Sequence, residues 1–172
     1  MKAVVQRVLD ASVRVGGNLY GQVGRGLLVY LGVAAGDTER DADRLAEKIA
    51  YMRIFDDGQG KMNLSIKDLV PENGAGTHVP EGRAGDNPAP AEAPVGVLVV
   101  SQFTLLADTR RGRRPFYGNA AESGAARALY EYFTRKLGER GLDCRTGVFQ
   151  ASMELRYTND GPVTIILDTK EL

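Results

Sequence analysis

Alternating apolar and polar positions predict strands in the first third of the chain. Residues 2–9 are rich in valine, and residues 12–15 and 19–23 flank Gly16-Gly17-Asn18, a sequence typical of a tight hairpin. The apolar run Leu27 to Val33 predicts a strand that is buried on both faces. Residues 95–100 repeat this pattern later in the chain.

Helical spacing occurs in two segments. In the first, Leu45, Ile49 and Met52 form one apolar stripe, and Asp37 or Thr38 is the predicted cap, with Asp41 in the first turn. The second helix is predicted from Asn119 to Leu137, because Asn119 and Glu122 resemble a capping box. Its buried stripe is formed by Leu129, Phe133 and Leu137.

Residues 153–158 and 163–168 complete the predicted strands, which then number about seven or eight, against two helices. This balance predicts an α+β fold with a mostly antiparallel, barrel-like β-sheet and two main helices. We expect one domain over residues 1–172, interrupted by a flexible insertion at about 71–94. That segment holds five of the seven prolines and four glycines, and Val79 is its one large aliphatic residue.

Composition excludes several classes of site. The chain has 22 basic and 22 acidic residues, so nucleic-acid binding would require a local patch. The single cysteine, Cys144, excludes an internal disulfide, and the single histidine, His78, excludes a multi-histidine metal centre. We therefore predict no cofactor and no metal. No apolar run reaches the roughly 18 residues of a membrane span, and no signal peptide is visible, so a cytoplasmic location is expected.

The segment Ser101-Gln102-Phe103-Thr104 follows a predicted buried strand and is the first candidate site. There, hydroxyls, an amide and free backbone N–H groups can surround a substrate. Alternatively, Ser101 and Thr104 only satisfy hydrogen bonds of a turn.

Asn159-Asp160-Gly161-Pro162-Val163-Thr164 is the second candidate. By itself it predicts an ordinary hairpin turn, although a cis Gly161–Pro162 bond would form a rigid backbone wedge. The third candidate is a cationic patch of four arginines, Arg110, Arg111, Arg113 and Arg114. This patch either binds phosphate or is a solvated loop, and the sequence leaves both interpretations open. Phe116 and Tyr117 lie beside it and can stack on a base.

No triad of serine, histidine and aspartate can be assembled from this sequence, and a nucleophilic Thr104 would lack an activating base. A hydrolase of this composition would act by positioning its substrate and by stabilising an oxyanion with backbone groups.

The sequence resembles the D-aminoacyl-tRNA deacylases of bacteria and eukaryotes. Both motifs above, residues 101–105 and 159–164, are present in the family order. The resemblance extends through residues 1–8, 26–29, 36–38, 48–55, 60–65, 107–110 and 112–115.

This resemblance implies a homodimer of barrel-like α+β subunits that hydrolyses the ester between a D-amino acid and the terminal adenosine of tRNA. It also implies that mischarged glycine is cleared. Ser101, Gln102, Phe103 and Thr104 would line the pocket, and the N–H groups of Phe103 and Thr104 would hold the substrate carbonyl. Gly161 and a cis Pro162 would project into the partner subunit's pocket and exclude the L side chain. The four arginines would meet acceptor-stem phosphates.

Two features depart from the family pattern. The insertion at 71–94 is longer than expected, and residues 149–154 depart from the small-residue pattern after the phenylalanine. A Gln150 that lined the pocket would put the breadth of accepted amino acids in question. Two alternatives stay open. One is a related deacylase with a trans Gly-Pro that accepts small L-aminoacyl-tRNA, and the other is a catalytically silent tRNA-binding module.

Overall fold

The computed structural model describes residues 1–70 and 93–172. The predicted insertion at 71–94 therefore lies outside the described residues except for Ala93 and Pro94. Pro94 already belongs to the folded part, since its carbonyl accepts a hydrogen bond of 2.9 Å from the Gly24 N–H.

Eight strands and two α-helices form an α+β fold within the described residues. The strands are β1 (Lys2–Val15), β2 (Asn18–Val23), β3 (Gly26–Gly32), β4 (Phe55–Asp56), β5 (Met62–Leu64), β6 (Gly96–Ser101), β7 (Cys144–Thr146) and β8 (Glu154–Asp168). The helices are α1 (Glu39–Tyr51) and α2 (Ser123–Glu139), and short 3₁₀ turns span Ile66–Leu69 and Phe103–Leu106.

The main sheet has the strand order β2-β1-β3-β6-β7, and β8 also pairs with β1. The long strand β1 is antiparallel to β2, β3 and β8, whereas β3–β6 and β6–β7 are parallel. The sheet is barrel-like, nearly closed and mostly antiparallel, as predicted. The parallel pairs β3–β6 and β6–β7 make it a mixed sheet. The alternation of apolar and polar residues did not predict the parallel pairs. Strands β3 and β6 are buried on both faces, so their apolar residues show no period of two.

Two apolar clusters lie on opposite faces of the sheet. Alternate residues of β3, among them Leu27, Val29 and Leu31, pack with both helices in the larger cluster. The other face of the same strands, including Leu28 of β3 and Leu98 of β6, belongs to a second cluster on the face turned away from the helices. Alternation of side chains along each strand divides the core in this way.

Helix α1 begins where the sequence predicts. Thr38 is its N-cap, and the Asp41 carboxylate accepts hydrogen bonds from the Thr38 N–H at 2.9 Å and the Thr38 hydroxyl at 2.8 Å. Helix α2 begins at Ser123, so the predicted start at Asn119 was wrong. Residues 119–121 instead hydrogen-bond to the residues that follow β3, since the Asn119 carbonyl accepts from the Ala35 N–H and the Ala121 N–H donates to the Val33 carbonyl.

The two predicted final strands are one continuous strand, β8. The prediction of a hairpin turn at residues 159–164 was therefore wrong, because β1 pairs with β8 on both sides of that segment. Cys144 begins β7 and is half-buried.

Candidate active site

Ser101 ends β6, and the chain turns there into the 3₁₀ segment Phe103–Leu106. The Gln102 N–H donates to the Leu31 carbonyl at 2.8 Å, which fixes the turn against the end of β3. The first N–H groups of a helical turn have no partner within it. Here those groups belong to Phe103 and Thr104, whereas the Leu105 N–H already donates to the Gln102 carbonyl.

A cavity of about 560 Å³ opens beside this turn. One wall consists of Ser101, Gln102 and Phe103, and the start of α2 forms a second wall. The turn Phe149-Gln150-Ala151 and the first residues of β8 form a third. The complete lining consists of Leu31, Val33, Val100, Ser101, Gln102, Phe103, Ala120, Ala121, Ser123, Ala126, Tyr130, Phe149, Gln150, Ala151, Met153 and Leu155.

The cavity wall contains hydroxyls and amides but, among its described residues, no carboxylate, histidine, lysine or cysteine. Its one titratable group is the phenol of Tyr130, which donates to the Val99 carbonyl at 2.9 Å. Burial raises the pKa of Tyr130 above its ordinary value, so this group remains protonated. The described residues of the wall can position a substrate and donate hydrogen bonds, but they offer no general base.

Thr104 is not part of the cavity wall, although the sequence predicts it there. Its hydroxyl accepts a hydrogen bond from the Gln102 side-chain amide, so Thr104 orients Gln102 instead. The Phe103 ring is 58% exposed and meets the Tyr117 ring edge-on, with the ring centroids 5.1 Å apart. The side chain of Phe103 therefore connects the cavity to the loop that carries the arginines.

Gln150 lines the cavity, and it adopts φ = 64°, the one positive value among the described non-glycine residues. In a non-glycine residue such a conformation costs about 1 kcal/mol or more, so the surrounding structure must hold it in place. The centroid of the neighbouring Phe149 ring lies 5.8 Å from the centroid of the Tyr130 ring and 5.4 Å from the Arg127 guanidinium carbon. This turn was noted from the sequence only as a departure from a family pattern.

Gly161 and Pro162 lie in a bulge of β8, away from the cavity wall. Gln6 of β1 pairs with Thr164, and Val8 pairs with Asn159, so residues 160–163 are extruded opposite Arg7. The Gly161–Pro162 peptide bond is cis. None of residues 159–163 lines the cavity, so one chain does not bring the two predicted motifs together.

Arg7 holds the base of this bulge. It is 5% exposed, and its Nη1 donates to the Ile54 carbonyl at 2.7 Å. Its Nε lies 3.2 Å from the Asp160 carboxylate and donates to the Asp160 carbonyl at 3.3 Å. Residue 161 must be glycine, because its φ is +118° and an added Cβ would lie 2.9–3.0 Å from Val163 and Arg7. Sequence reasoning missed Arg7, and the available signal was a charged residue within the valine-rich segment 2–9.

The four arginines lie in a loop closed by a bridge between Asp108 and Phe116, with N–H to carbonyl distances of 2.8 and 2.9 Å. Arg110 is turned back on Asp108, and its hydrogen bonds lower the pKa of that carboxyl to about 2. Arg111, Arg113 and Arg114 are exposed and make no ion pair within residues 1–70 and 93–172. With respect to the described residues, the loop thus presents three cations without an ion pair.

The part of the chain that the structure describes contains no cluster of side chains able to hold a metal ion. It also contains no helix that is long and apolar enough to cross a membrane. His78 lies outside the described residues.

Comparison with known proteins identifies the family. A family model described as D-Tyr-tRNA(Tyr) deacylase matches residues 4–73 and 81–168. A protein of Dehalococcoides mccartyi named D-aminoacyl-tRNA deacylase is 51% identical over 171 residues, which cover 99% of this chain and 96% of that protein. A protein of the same name from Anaeromyxobacter dehalogenans is 49% identical over 172 residues, or 100% of this chain and 99% of that protein.

Two solved structures share the fold. One, titled c-Myc DNA Unwinding Element Binding Protein, has a TM-score of 0.78 and 33% identity, covering 98% of each chain. The other, titled a probable eukaryotic D-amino acid tRNA deacylase, has a TM-score of 0.73 at 15% identity, covers 96% of this chain and 97% of that one, and bears on the fold alone. The family model, the full-length relatives and the shared fold agree, and the chain belongs to the D-Tyr-tRNA(Tyr) deacylase family.

Proposed function

We propose that this protein hydrolyses the ester bond of D-aminoacyl-tRNA and releases the free amino acid and tRNA. The observation that carries the proposal is the cavity at Ser101-Gln102-Phe103, in a chain that is about half identical, over its full length, to proteins named for this activity. In the cell such an enzyme removes wrongly charged tRNA in the cytoplasm, where aminoacyl-tRNA is used.

The residues favour catalysis by positioning. The N–H groups of Phe103 and Thr104 donate to the ester carbonyl and to the oxyanion that forms from it. Water adds to the carbonyl carbon, the bond to the ribose 3′ oxygen breaks, and that oxygen takes up a proton. Because the described residues of the cavity wall include no base, the neighbouring ribose 2′-hydroxyl of the tRNA assists the proton transfer. Gln102, oriented by Thr104, and Ser101 hold the substrate in place.

Selection against L-amino acids requires a second copy of the chain. In this proposal the Gly161-Pro162 bulge of one subunit enters the cavity of its partner, and its backbone leaves room only for hydrogen on one side of the substrate Cα. The separation of bulge and cavity within one chain supports this arrangement. Glycine carries hydrogen on both sides of Cα, so glycyl-tRNA would also be cleaved.

An apolar face beside the bulge is suited to the partner subunit. Ile166 of β8 is 75% exposed and lies directly opposite Val4, in a row that continues to Tyr30 of β3. The Asn159 side-chain oxygen is buried and has no partner within the described residues. A buried acceptor without a partner costs about 1–3 kcal/mol, which a donor from a second subunit would recover.

The three available arginines of the loop extend the site toward the tRNA. Together with Arg110, they supply the local positive charge that a chain of zero net charge needs for phosphate binding. Phe116 and Tyr117 are exposed beside them and can stack on a base.

The activity is tested by comparing deacylation of D-tyrosyl-tRNA and L-tyrosyl-tRNA by the purified protein. Rapid loss of the D ester with the L ester spared is expected. Loss of both esters, or of small L esters only, would favour the alternative deacylase, and tRNA binding without hydrolysis would favour a binding module. Ala126→Trp fills the cavity and should abolish hydrolysis, whereas Ala128→Trp, on an exposed position of the same helix, should not.

The dimer is tested separately by sedimentation velocity. Ile166→Asp introduces a charge on the exposed apolar face and should convert a dimer of wild-type chains into monomers. Tyr51→Asp changes an exposed aromatic residue at the end of α1 and should leave the dimer intact. A monomeric wild-type protein that still spares L-tyrosyl-tRNA would contradict the shared site.

A further inference from the structure

We propose that a second cavity, on the other side of the Ser101–Leu106 turn, binds the sugar-phosphate of the nucleotides that precede the terminal adenosine. This inference rests on the proposed function and extends its site. The second cavity has a volume of about 620 Å³, and its polar lining includes Lys2, Thr109, Asn119 and Lys170. A cavity of this size accommodates a nucleotide rather than a single phosphate ion.

Two segments of the chain separate the two cavities, and each segment lines both of them. Gln102 and Phe103 line the first cavity, and Leu106 and Ala107, at the end of the same turn, line the second. The segment 118–121 is divided in the same way, with Gly118 and Asn119 on one side and Ala120 and Ala121 on the other. In this proposal, a nucleic-acid strand whose last nucleotide occupies the first cavity passes over or along this wall toward the second.

The charges in the second cavity fit a phosphodiester. Its two carboxylates are already matched by cations, since Lys2 Nζ lies 3.6 Å from the Asp168 carboxylate and Arg110 contacts Asp108. Lys170 is exposed and makes no ion pair with any described residue, so its charge is available. Met1 also lines the cavity, and its ammonium is paired with the Asp37 carboxylate at 2.8 Å. Among the described residues, one positive charge therefore remains after pairing, and one phosphodiester carries one negative charge.

The cavity also offers neutral groups for a ribose. Thr109 and Asn119 line it, and the Asn119 main chain is fixed by the hydrogen bond of 3.0 Å from the Ala35 N–H to its carbonyl. Hydroxyl and amide groups of this kind form a large share of protein contacts to sugar and phosphate. The wall is rigid on the other side too, because the Ala107 N–H donates to the Thr104 carbonyl.

The test compares D-tyrosyl esters of adenosine, of the trinucleotide CpCpA and of whole tRNA, hydrolysed by wild type, Lys170→Ala and Lys48→Ala. Lys48 is an exposed lysine in the last turn of α1 and serves as the matched control. We expect Lys170→Ala to lower kcat/KM on the CpCpA ester on the order of fivefold more than on the adenosine ester. Its salt dependence on CpCpA should weaken by about 0.7 in logarithmic slope, the value of one single-strand phosphate contact.

An equal effect of Lys170→Ala on the adenosine and CpCpA esters, or an effect no larger than that of Lys48→Ala, would overturn the proposal. An effect that emerges only with whole tRNA would place Lys170 on the acceptor stem and would also overturn it. If wild type hydrolyses none of the esters, the proposed function fails on its own. Binding of uncharged CpCpA then tests the second cavity separately. Weaker binding by Lys170→Ala than by wild type would support the proposed nucleotide site, and equal binding would overturn it.

Discussion

Arg7 is expected to maintain both the stability of the fold and the selectivity of the site. The perturbation is Arg7→Met, which keeps a side chain of similar length but removes the guanidinium. The variant loses the 2.7 Å hydrogen bond to the Ile54 carbonyl and the 3.2 Å contact with the Asp160 carboxylate. Both partners of the Arg7–Asp160 pair are nearly buried, with side-chain exposures of 6% and 9%.

Removing one partner of a buried ion pair costs about 3–5 kcal/mol, because the other charge keeps its desolvation cost. Methionine restores part of the packing, and the second carboxylate, Asp56, is 45% exposed. We therefore expect a loss of about 3 kcal/mol in the free energy of unfolding, at the lower end of that range. The bulge at Gly161-Pro162 would also lose its anchor, so the ratio of D-tyrosyl-tRNA to L-tyrosyl-tRNA hydrolysis should fall.

Urea unfolding followed by circular dichroism measures the first effect, and deacylation of the two esters measures the second. Arg14→Met is the matched control, because Arg14 lies on the same strand and donates to the Gly17 carbonyl at an exposed position. Arg14→Met should lower the free energy of unfolding by less than about 1 kcal/mol.

A double-mutant cycle of Arg7→Met with Asp160→Asn should give a coupling energy above about 1 kcal/mol. If Arg7→Met loses stability but keeps the ratio of D-tyrosyl-tRNA to L-tyrosyl-tRNA hydrolysis, Arg7 does not maintain selectivity. If its free energy of unfolding changes by less than about 0.5 kcal/mol, the buried ion pair does not stabilise the fold as argued.

Three further predictions concern single side chains. Thr104→Ala should retain at least about a tenth of the deacylation rate, because Thr104 orients Gln102 and has no activating base; complete loss in a folded protein would indicate a nucleophile. Hydrogen bonds from the Ser65 hydroxyl and N–H lower the pKa of Asp68, so its contribution to stability is present above about pH 4 and is lost as pH falls through the lowered value. The unfolding free energies of wild type and Asp68→Asn should therefore converge in acid; a constant difference would contradict this. Burial raises the pKa of Cys144 to about 12, so at pH 8 only about one thiol in ten thousand is ionised and a disulfide reagent should react slowly until urea is added.

Local sequence patterns predicted several helices and strands of the fold. The predicted cap at Thr38 and the apolar spacing of Leu45 and Ile49 correspond to α1, because capping and helical periodicity act within a few residues. The fully apolar run at 27–31 likewise gave a strand buried on both faces. Of the motif at residues 101–104, the first three residues line the cavity, and Thr104 contacts the Gln102 side chain without lining it. The roles of these residues stay a prediction.

Pairing partners and register depended on residues far apart in the chain. Sequence patterns predicted a helix from Asn119, but residues 119–121 hydrogen-bond to Val33 and Ala35, just after β3 and more than eighty positions away. The segment 159–164 has the composition of a turn, yet β1 pairs on both sides of it and keeps it within one strand. Arg7 acquired its role in the same way, through contacts with Ile54 and Asp160.

The sequence by itself therefore determined the family, the helix limits that depend on local caps, and the residue types of the site. Only the tertiary structure decided the mixed sheet, the bulge of β8 and the separation of that bulge from the cavity. The physical reason is range: propensity and capping act over one or two turns, whereas strand register and buried ion pairs form only when distant segments meet.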